Sequence, residues 1–287
     1  MGFLDKIFSH KPSWQFNTGG TVWKLVCSKN LLVGDMRDTE HKTSSFFALD
    51  FQTGETLWKN ISLNEAWWIG IQSVMNDTIF LHGFEKPDMP IPKGIYALDL
   101  TTGSMLWQNN DMTFLFSYNN KLYVQRAGFR EKNFYELDPR AGEILYDYGT
   151  NEEGIAQLKD LAASEENWEG YMFSEQIGSY SPKVQETLAK HFDGARVRGG
   201  IDVVETNGVV IMSYHQPARG ADAMLNNLVT NTLKVVDLQT SVVLFEDILL
   251  DNAPMPMPDT FFVKDDVLMY VKDRTRVTGV VLEDLRR

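Results

Sequence analysis

Six arginines offer the clearest chemistry in this sequence, because each stands at or beside a segment that we predict to be a loop. The planar guanidinium group of arginine can donate two parallel hydrogen bonds to a carboxylate or a phosphate. Arginines gathered at one end of the molecule could therefore hold a small anion. Acidic neighbours such as Asp38, Glu131 and Asp273 leave ordinary surface ion pairs open as the alternative. The six candidate ligand-binding residues are Arg37, Arg126, Arg130, Arg219, Arg274 and Arg276.

The other reactive side chains do not follow the pattern of a catalytic or metal-binding site. The five histidines lack the short spacings that zinc sites use. Paired glutamates at 152–153 and 165–166 are typical of a solvated helix face, whereas a catalytic pair needs a shared cleft. The single cysteine, Cys27, cannot form an internal disulfide. We therefore expect no metal and no cofactor, and we favour a binding protein over an enzyme while leaving catalysis open.

The composition argues against several classes of protein. The 287 residues are 43% hydrophobic and 23% charged, which is typical of a globular chain. A net charge of −12 argues against nucleic-acid binding, because phosphates attract positive surfaces. No apolar run reaches the roughly 18 residues of a membrane-spanning helix, so we expect no membrane partner. Asp5 and Lys6 interrupt the N-terminal apolar residues, unlike a signal peptide, and we expect a cytoplasmic location.

The elements that must position the arginines are indicated by a segment that occurs four times, at 47–58, 96–107, 135–146 and 234–245. Each copy has an aspartate, then a glycine, then an aromatic residue at fixed spacing, except that Ser241 replaces the last glycine. The residues that define this repeat are Asp50, Gly54 and Trp58; Asp99, Gly103 and Trp107; Asp138, Gly142 and Tyr146; and Asp237 and Phe245.

The repeat predicts a β-hairpin. An aspartate side chain can accept hydrogen bonds from the backbone N–H groups that follow it, which starts a tight turn. Glycine then supplies a backbone conformation with positive φ at little steric cost. The aromatic residue falls on the returning strand, where it can pack on a pleated surface.

The pattern resembles the quinoprotein-type propeller repeat, Ala-x-Asp-x-x-Thr-Gly-x-x-x-Trp. The first two copies match it fully and the last two in part. In that family the pattern marks the hairpin between the third and fourth strands of each propeller blade, and the tryptophan packs between neighbouring blades. The resemblance implies a β-propeller, similar to uncharacterised bacterial domains of unknown function that carry such repeats. It does not imply a quinone-dependent dehydrogenase, because those enzymes have more blades, calcium ligands, an exported location and often an adjacent cysteine pair.

We therefore predict an all-β fold, a five-bladed β-propeller of four-stranded antiparallel blades, with residues 1–287 as a single domain. The last blade lacks one strand, and the N-terminal strand at 13–17 is expected to close it. Residues 150–199 have helical apolar spacing and form a helical insertion between blades three and four. Ser181-Pro182 predicts a helix start within it, and that helix ends near Phe192. A six-bladed propeller, with this segment as an irregular blade, is the alternative.

The loops between second and third strands are expected to form the working face. They are longer and more diverse than the repeat turns, and binding usually resides on variable loops held by a rigid scaffold. We expect a protein-interaction module that binds a protein partner through this face. The alternative is a protein or enzyme that binds a small anion at the mouth of the channel. The predicted loops are 38–44, 85–93, 128–131, 216–231 and 273–276, with the inter-blade segments 149–200 and 249–259 on the same face.

Overall fold

The computed structural model describes residues 10–286 except 87–88, 166–167, 177–179, 193–195 and 221–226. The described residues form five antiparallel β-sheets, two α-helices and one short 3-10 helix. They divide into two compact units. The first unit is Gly19–Trp168, and the second consists of the chain up to Thr18 and from Glu169 onward. The first strand of the described residues is β1 (Trp14–Asn17), which belongs to the second unit.

The first unit contains three sheets, in each of which four strands follow one another in chain order. The first sheet consists of β2 (Thr21–Ser28), β3 (Leu31–Asp38), β4 (Thr43–Asp50) and β5 (Thr56–Ile61). The second consists of β6 (Ile69–Met75), β7 (Thr78–Lys86), β8 (Met89–Asp99) and β9 (Met105–Asn109). The third consists of β10 (Met112–Tyr118), β11 (Lys121–Ala127), β12 (Lys132–Leu137) and β13 (Ile144–Gly149). Helix α1 (Glu152–Ser164) follows the third sheet.

The second unit contains two sheets. The fourth sheet consists of β15 (Arg198–Thr206), β16 (Val209–Pro217), β17 (Val229–Asp237) and β18 (Val243–Ala253). The fifth sheet is built from β14 (Tyr171–Phe173), β19 (Phe261–Lys264), β20 (Val267–Lys272) and β21 (Arg276–Val281), and β1 pairs with β21. Helix α2 (Pro182–Phe192) lies between β14 and β15, and a 3-10 helix (Leu282–Arg286) follows β21.

The fifth sheet contains the four predicted strands and one more, in the order β1-β21-β20-β19-β14. The additional strand, β14, comes from the predicted helical insertion. An edge strand exposes unpaired backbone N–H and C=O groups, and β14 supplies partners for those of β19. The predicted loop at 85–93 also differs, because β7 and β8 extend over most of it.

A two-residue turn joins β2 to β3, β6 to β7, β10 to β11, β15 to β16 and β19 to β20, one in each sheet. Its first residue has a φ between 45° and 53°, a left-handed conformation that asparagine and aspartate adopt more readily than most residues. The five turns are Lys29-Asn30, Asn76-Asp77, Asn119-Asn120, Asn207-Gly208 and Asp265-Asp266. These turns fix the register of each first hairpin.

The four repeat turns share one hydrogen-bond pattern. In each, the aspartate Oδ1 accepts hydrogen bonds from the backbone N–H groups two and three residues later, at 2.7–3.0 Å. The aspartate carbonyl accepts another from the residue at the glycine position, at 2.8 Å. That residue has a φ of 71° at Gly54 and Gly103, 70° at Gly142 and 58° at Ser241. The turn therefore demands a left-handed residue at this place.

The two repeat tryptophans tie neighbouring sheets of the first unit together. Trp58 Nε1 donates to the carbonyl of Leu100 at 2.9 Å, and Trp107 Nε1 donates to the carbonyl of Pro139 at 2.9 Å. Each acceptor directly follows the repeat aspartate of the next sheet. Each indole ring also covers the next repeat glycine, since a methyl group on Gly142 would lie 2.6 Å from the Trp107 ring.

Apolar side chains from facing sheets form the core of each unit. The core between the first and second sheets includes Val33, Phe46, Ile69 and Leu81. The core between the second and third sheets includes Phe80, Ile95, Met112 and Val124. Helix α1 covers the third sheet through Ile155, which packs on Phe116 and Tyr123. In the second unit, the core between the fourth and fifth sheets includes Ile211, Val235, Phe245 and Tyr270.

The segment before the fourth sheet pairs with one strand of each sheet in the second unit. Strand β14 pairs with β19 of the fifth sheet. Glu175 then exchanges two backbone hydrogen bonds of 3.1 Å with Val203 on β15, the first strand of the fourth sheet. Helix α2 begins at Pro182, as Ser181-Pro182 predicts, and the Ser181 hydroxyl accepts from the N–H of Val184 at 3.3 Å.

Candidate functional site

The six predicted arginines are distributed over both units. Arg37 lies on β3, Arg126 on β11 and Arg130 in the loop after β11, all in the first unit. Arg219 follows β16, Arg274 lies in the turn between β20 and β21, and Arg276 begins β21. Within each unit, the contacts of the described residues do not bring two of these guanidinium groups to one acceptor. Whether they hold an anion stays a prediction.

Two of the arginines are already bound by acceptors of their own unit. Arg276 Nη2 pairs with the carboxylate of Asp273. Arg37 is buried, and it donates from Nη1 to the carbonyl of Trp67 at 2.9 Å and from Nη2 to the carbonyl of Ile69 at 2.6 Å. Its guanidinium also lies over the rings of Trp23 and Trp67, at 4.9 and 5.1 Å from the ring centroids. Arg37 therefore joins the first sheet to the segment that enters the second.

Arg37 belongs to a cluster of four ionisable side chains between the first two sheets, which we call the Asp35 cluster: Lys24, Asp35, Arg37 and His82. Asp35 Oδ2 lies 3.4 Å from Arg37 Nη2, and the residue is fully buried. Lys24 Nζ donates to the carbonyl of Ile71 at 3.0 Å. A methyl group at Gly70 would lie 3.5 Å from Asp35 Oδ2 and 3.7 Å from His82 Cε1, so this glycine lies close to both side chains.

Burial governs the protonation of this cluster. It raises the pKa of Asp35 to about 6, although the positive charges of Arg37 and Lys24 oppose the increase. Burial also lowers the pKa of His82, and the same two cations lower it further. At neutral pH a pKa of about 6 leaves Asp35 mainly ionised, and the lowered pKa of His82 favours the neutral imidazole. Burial also lowers the pKa of Lys24, and the charge of Asp35 opposes that decrease.

Three atoms of the cluster are buried without a hydrogen-bond partner among the described residues: Asp35 Oδ1, Arg37 Nε and His82 Nδ1. An unsatisfied buried polar group costs about 1–3 kcal/mol, so native proteins carry few of them. Three such groups lie close together in the Asp35 cluster. Packing alone does not explain why ionisable residues occupy these buried positions.

The second unit contains a corresponding polar cluster on the fourth sheet. Ser213 donates to Asn231 Oδ1 at 2.9 Å and lies 2.7 Å from Thr260 Oγ1. His215 Nε2 accepts from the N–H of Met257 at 3.2 Å, and burial lowers the pKa of this histidine. Asp202 is buried beside Ser213 on the neighbouring strand. The described contacts give no Ser–His hydrogen bond, so this group lacks the arrangement of a nucleophile with its base.

The polar residues of the two clusters share a register that the sequence alone does not reveal. Asp35, His82 and Ser213 are each the fifth residue of the second strand in their sheet. A single polar residue in an apolar strand carries no local signature, because ordinary outward-facing positions look the same. The available signal is the strand LLVGDMRD, in which Asp35 and Arg37 alternate in step with Leu31 and Val33, which pack in the core between the first and second sheets.

Large apolar side chains are exposed at the end of the sheets where second and third strands connect, which we call the loop end. In the first unit Phe129 is 99% exposed in the loop after β11, and Trp23 is 63% exposed at the start of β2. Ile91 is also exposed there, near the start of β8. In the second unit Met255, 65% exposed, and Met257 follow β18 at the loop end. Other exposed apolar residues lie mainly on fourth strands and in the segment before the fourth sheet.

No group of three or more histidine, cysteine, aspartate or glutamate side chains in the described ranges is placed to hold a metal ion. In the same part of the chain, neither helix has the length and apolar content needed to cross a bilayer.

Comparison with protein families gives one partial match. A family model described as a domain of unknown function (DUF4905) matches residues 27–107, which is less than a third of the chain. The match covers most of the first sheet and nearly all of the second, including the Asp35 cluster except Lys24. No curated protein matches the chain.

Several solved structures are similar to this chain at low identity. A europium-containing methanol dehydrogenase is 12% identical with a TM-score of 0.33, and the match covers 92% of this chain but only 52% of the enzyme. A member of the duf4221 family from Bacteroides vulgatus is 8% identical with a TM-score of 0.33, covering 96% and 97% of the two chains. The Dos1 propeller is 13% identical with a TM-score of 0.31, covering 90% and 67%. Likeness at this level says nothing about the activity of the present chain.

Proposed function

We propose that this chain is a protein-binding module, a five-bladed β-propeller that binds a protein partner with the loop end of its sheets. The observation that carries the binding role is Phe129, whose aromatic ring is almost completely exposed in the loop between β11 and β12. Trp23 and Ile91 are exposed at the same end of the first unit. Exposed aromatic side chains are typical anchors of protein interfaces, because burying them on binding releases much apolar surface from water.

Two features support the propeller part of the proposal. Sheets follow one another in chain order within each unit and pack face to face, and the repeat turn recurs in four of the five. The strand β1 joins β21 in register, with Trp14 opposite Gly279, so the last sheet is completed by the beginning of the described chain. Closure of the five sheets into the ring of a propeller is part of this proposal.

The segment predicted as an insertion, residues 150–199, favours binding at the surface of the second unit and argues against a ligand site there. Strand β14 pairs with β19 in the fifth sheet. Glu175 pairs with Val203 on β15, at the edge of the fourth sheet. Those strands therefore pair with the protein's own backbone. In contrast, the loop-end side chains of both units are open to a partner.

The proposal is tested with a matched pair of substitutions in the third sheet. The immobilised full chain captures partners from a cell extract, and the affinity of a purified partner is then measured by calorimetry. Phe129→Ser should weaken binding at least tenfold, which corresponds to about 1.4 kcal/mol. Leu145→Ser, at an exposed position on the outer strand β13, should leave the affinity unchanged. Saturable binding that is unaffected by Phe129→Ser and by Trp23→Ser would overturn the proposal.

Binding of a small anion is the second candidate, and Arg126 favours it. Arg126 Nε is buried without a hydrogen-bond partner among the described residues, and Arg130 lies in the adjoining loop. In a thermal-shift experiment, inorganic phosphate or citrate should raise the melting temperature of the wild type but not of Arg126→Met. The melting temperature of Lys93→Met, at an exposed cation of the second sheet, should respond like that of the wild type. The absence of any shift at millimolar anion would exclude this role.

A further inference from the structure

The Asp35 cluster connects buried charge to exposed aromatic residues of the loop end. Arg37 donates short hydrogen bonds to the carbonyls of Trp67 and Ile69 and lies over the Trp23 and Trp67 rings. Its guanidinium therefore helps to link the first sheet to the segment that enters β6. The same guanidinium lies 3.4 Å from the carboxylate of Asp35.

The groups facing Asp35 come from three strands. Lys24 lies on β2 opposite Asp35, Arg37 lies two residues away on β3, and His82 approaches from β7. The nearby part of β6 supplies backbone carbonyls and no ionisable side chain. On the segment before β6, Glu65 accepts from the N–H groups of Trp67 and Trp68 at 3.0 and 2.9 Å. Asp35 is thus the only anion of the Asp35 cluster.

We infer that the Asp35 cluster is a pH-sensitive latch: when Asp35 takes up a proton in mildly acidic conditions, Arg37 and Lys24 lose the counter-charge of the cluster, and the hold of Arg37 on the Trp23–Trp67 pair changes. Asp35 titrates in the mildly acidic range, because burial raises its pKa to about 6. Burial, Lys24 and Arg37 all lower the pKa of His82, which favours its neutral imidazole.

The sign of the effect follows from linkage. A carboxyl whose pKa is higher in the folded protein than its ordinary 3.8 binds its proton more tightly when folded. The stabilising effect of that proton is complete below 3.8 and is lost as the pH rises through about 6. Acid therefore changes the environment of the indoles through a folded, protonated state and does not need to unfold the chain.

This latch extends the proposed function, because Trp23 belongs to the loop end, but it has a readout that needs no partner. Near-ultraviolet circular dichroism and tryptophan emission of the full chain are recorded from about pH 8 to about pH 4.5. The wild type should show a transition with a midpoint near 6, and Asp35→Asn should lose it. Glu65→Gln, which keeps an acceptor oxygen, and His41→Gln, which removes an exposed histidine, should keep the transition.

A second variant protects the test against misfolding of Asp35→Asn. The positive charge of Lys24 lowers the pKa of Asp35, so Lys24→Met should move the midpoint upward. An unchanged midpoint in Lys24→Met, a transition that survives in folded Asp35→Asn, or a wild type without a transition would each overturn the latch. Loss of partner binding in Phe129→Ser tests the proposed function separately, because that substitution leaves the Asp35 cluster intact.

Discussion

Ser241 occupies the place that glycine holds in the other three repeat turns, and it adopts a φ of 58° there. A left-handed conformation brings the Cβ of an ordinary residue close to its own backbone, at a cost of roughly 1–2 kcal/mol. Gly142 shows the opposite case, because its φ is 70° and the Trp107 ring also covers it closely. The same backbone thus carries strain in one repeat and none in another.

These two turns give a prediction at the scale of single residues. Ser241→Gly should raise the free energy of unfolding by about 1 kcal/mol, because glycine adopts positive φ without strain. Gly142→Ala should lower it by about 2 kcal/mol or more, since a methyl group 2.6 Å from the Trp107 ring forces that ring to move. Urea unfolding followed by circular dichroism measures both. Equal effects of the two substitutions would contradict this account of the turn.

The structural roles of the residues in the repeat turns could be predicted from the sequence, whereas the roles of the residues in the candidate site could not. Asp50 or Gly103 acts within a few residues along the chain, so spacing alone indicates its role. The placement of His82 beside Lys24 and Arg37 depends on how the strands of the first two sheets pack, which spacing along the chain does not show. Arg37 illustrates the same limit. Its position beside a loop predicts that its guanidinium binds an anion, but its N–H groups donate to the carbonyls of Trp67 and Ile69.

At the scale of elements, the strands with strong local signals follow the sequence closely. The spans of β10, β11 and β20 agree with the alternation of apolar residues, and α2 begins where Ser181-Pro182 places it. Strand β14 has only three residues and no turn signal of its own. It is a strand because the edge of β19 offers backbone partners, so periodicity within the segment could not reveal it.

A second periodic signal at this scale was present in the sequence. The two-residue turns, such as that between β2 and β3, occur once in every sheet, including the fifth, where the repeat motif is absent. Asn76-Asp77 and Asp265-Asp266 use the residue types that tolerate positive φ. These turns therefore mark all five sheets, whereas the repeat turn marks four. Counting them gives the number of sheets independently of the aromatic motif.

For the whole molecule, the described contacts divide the chain into two units, whereas the proposed propeller is a single domain. The two descriptions differ in how the chain should unfold. Each sheet of a propeller buries its faces against neighbouring sheets, so loss of one blade removes support from the others. A chain of this size that folds as one propeller should lose its structure in a single cooperative step.

The final prediction tests this with one substitution in each unit. Trp14 is almost fully buried and its ring lies against Gly279, so Trp14→Ala should cost about 3–5 kcal/mol in the second unit. Gly142→Ala perturbs the first unit. If the sheets form one domain, calorimetry should show a single transition whose midpoint both variants lower, while Gln15→Ala, at an exposed neighbour of Trp14, leaves it in place. Two transitions, each sensitive to only one variant, would instead make the units independent domains, because stability lost in one would then leave the other unaffected.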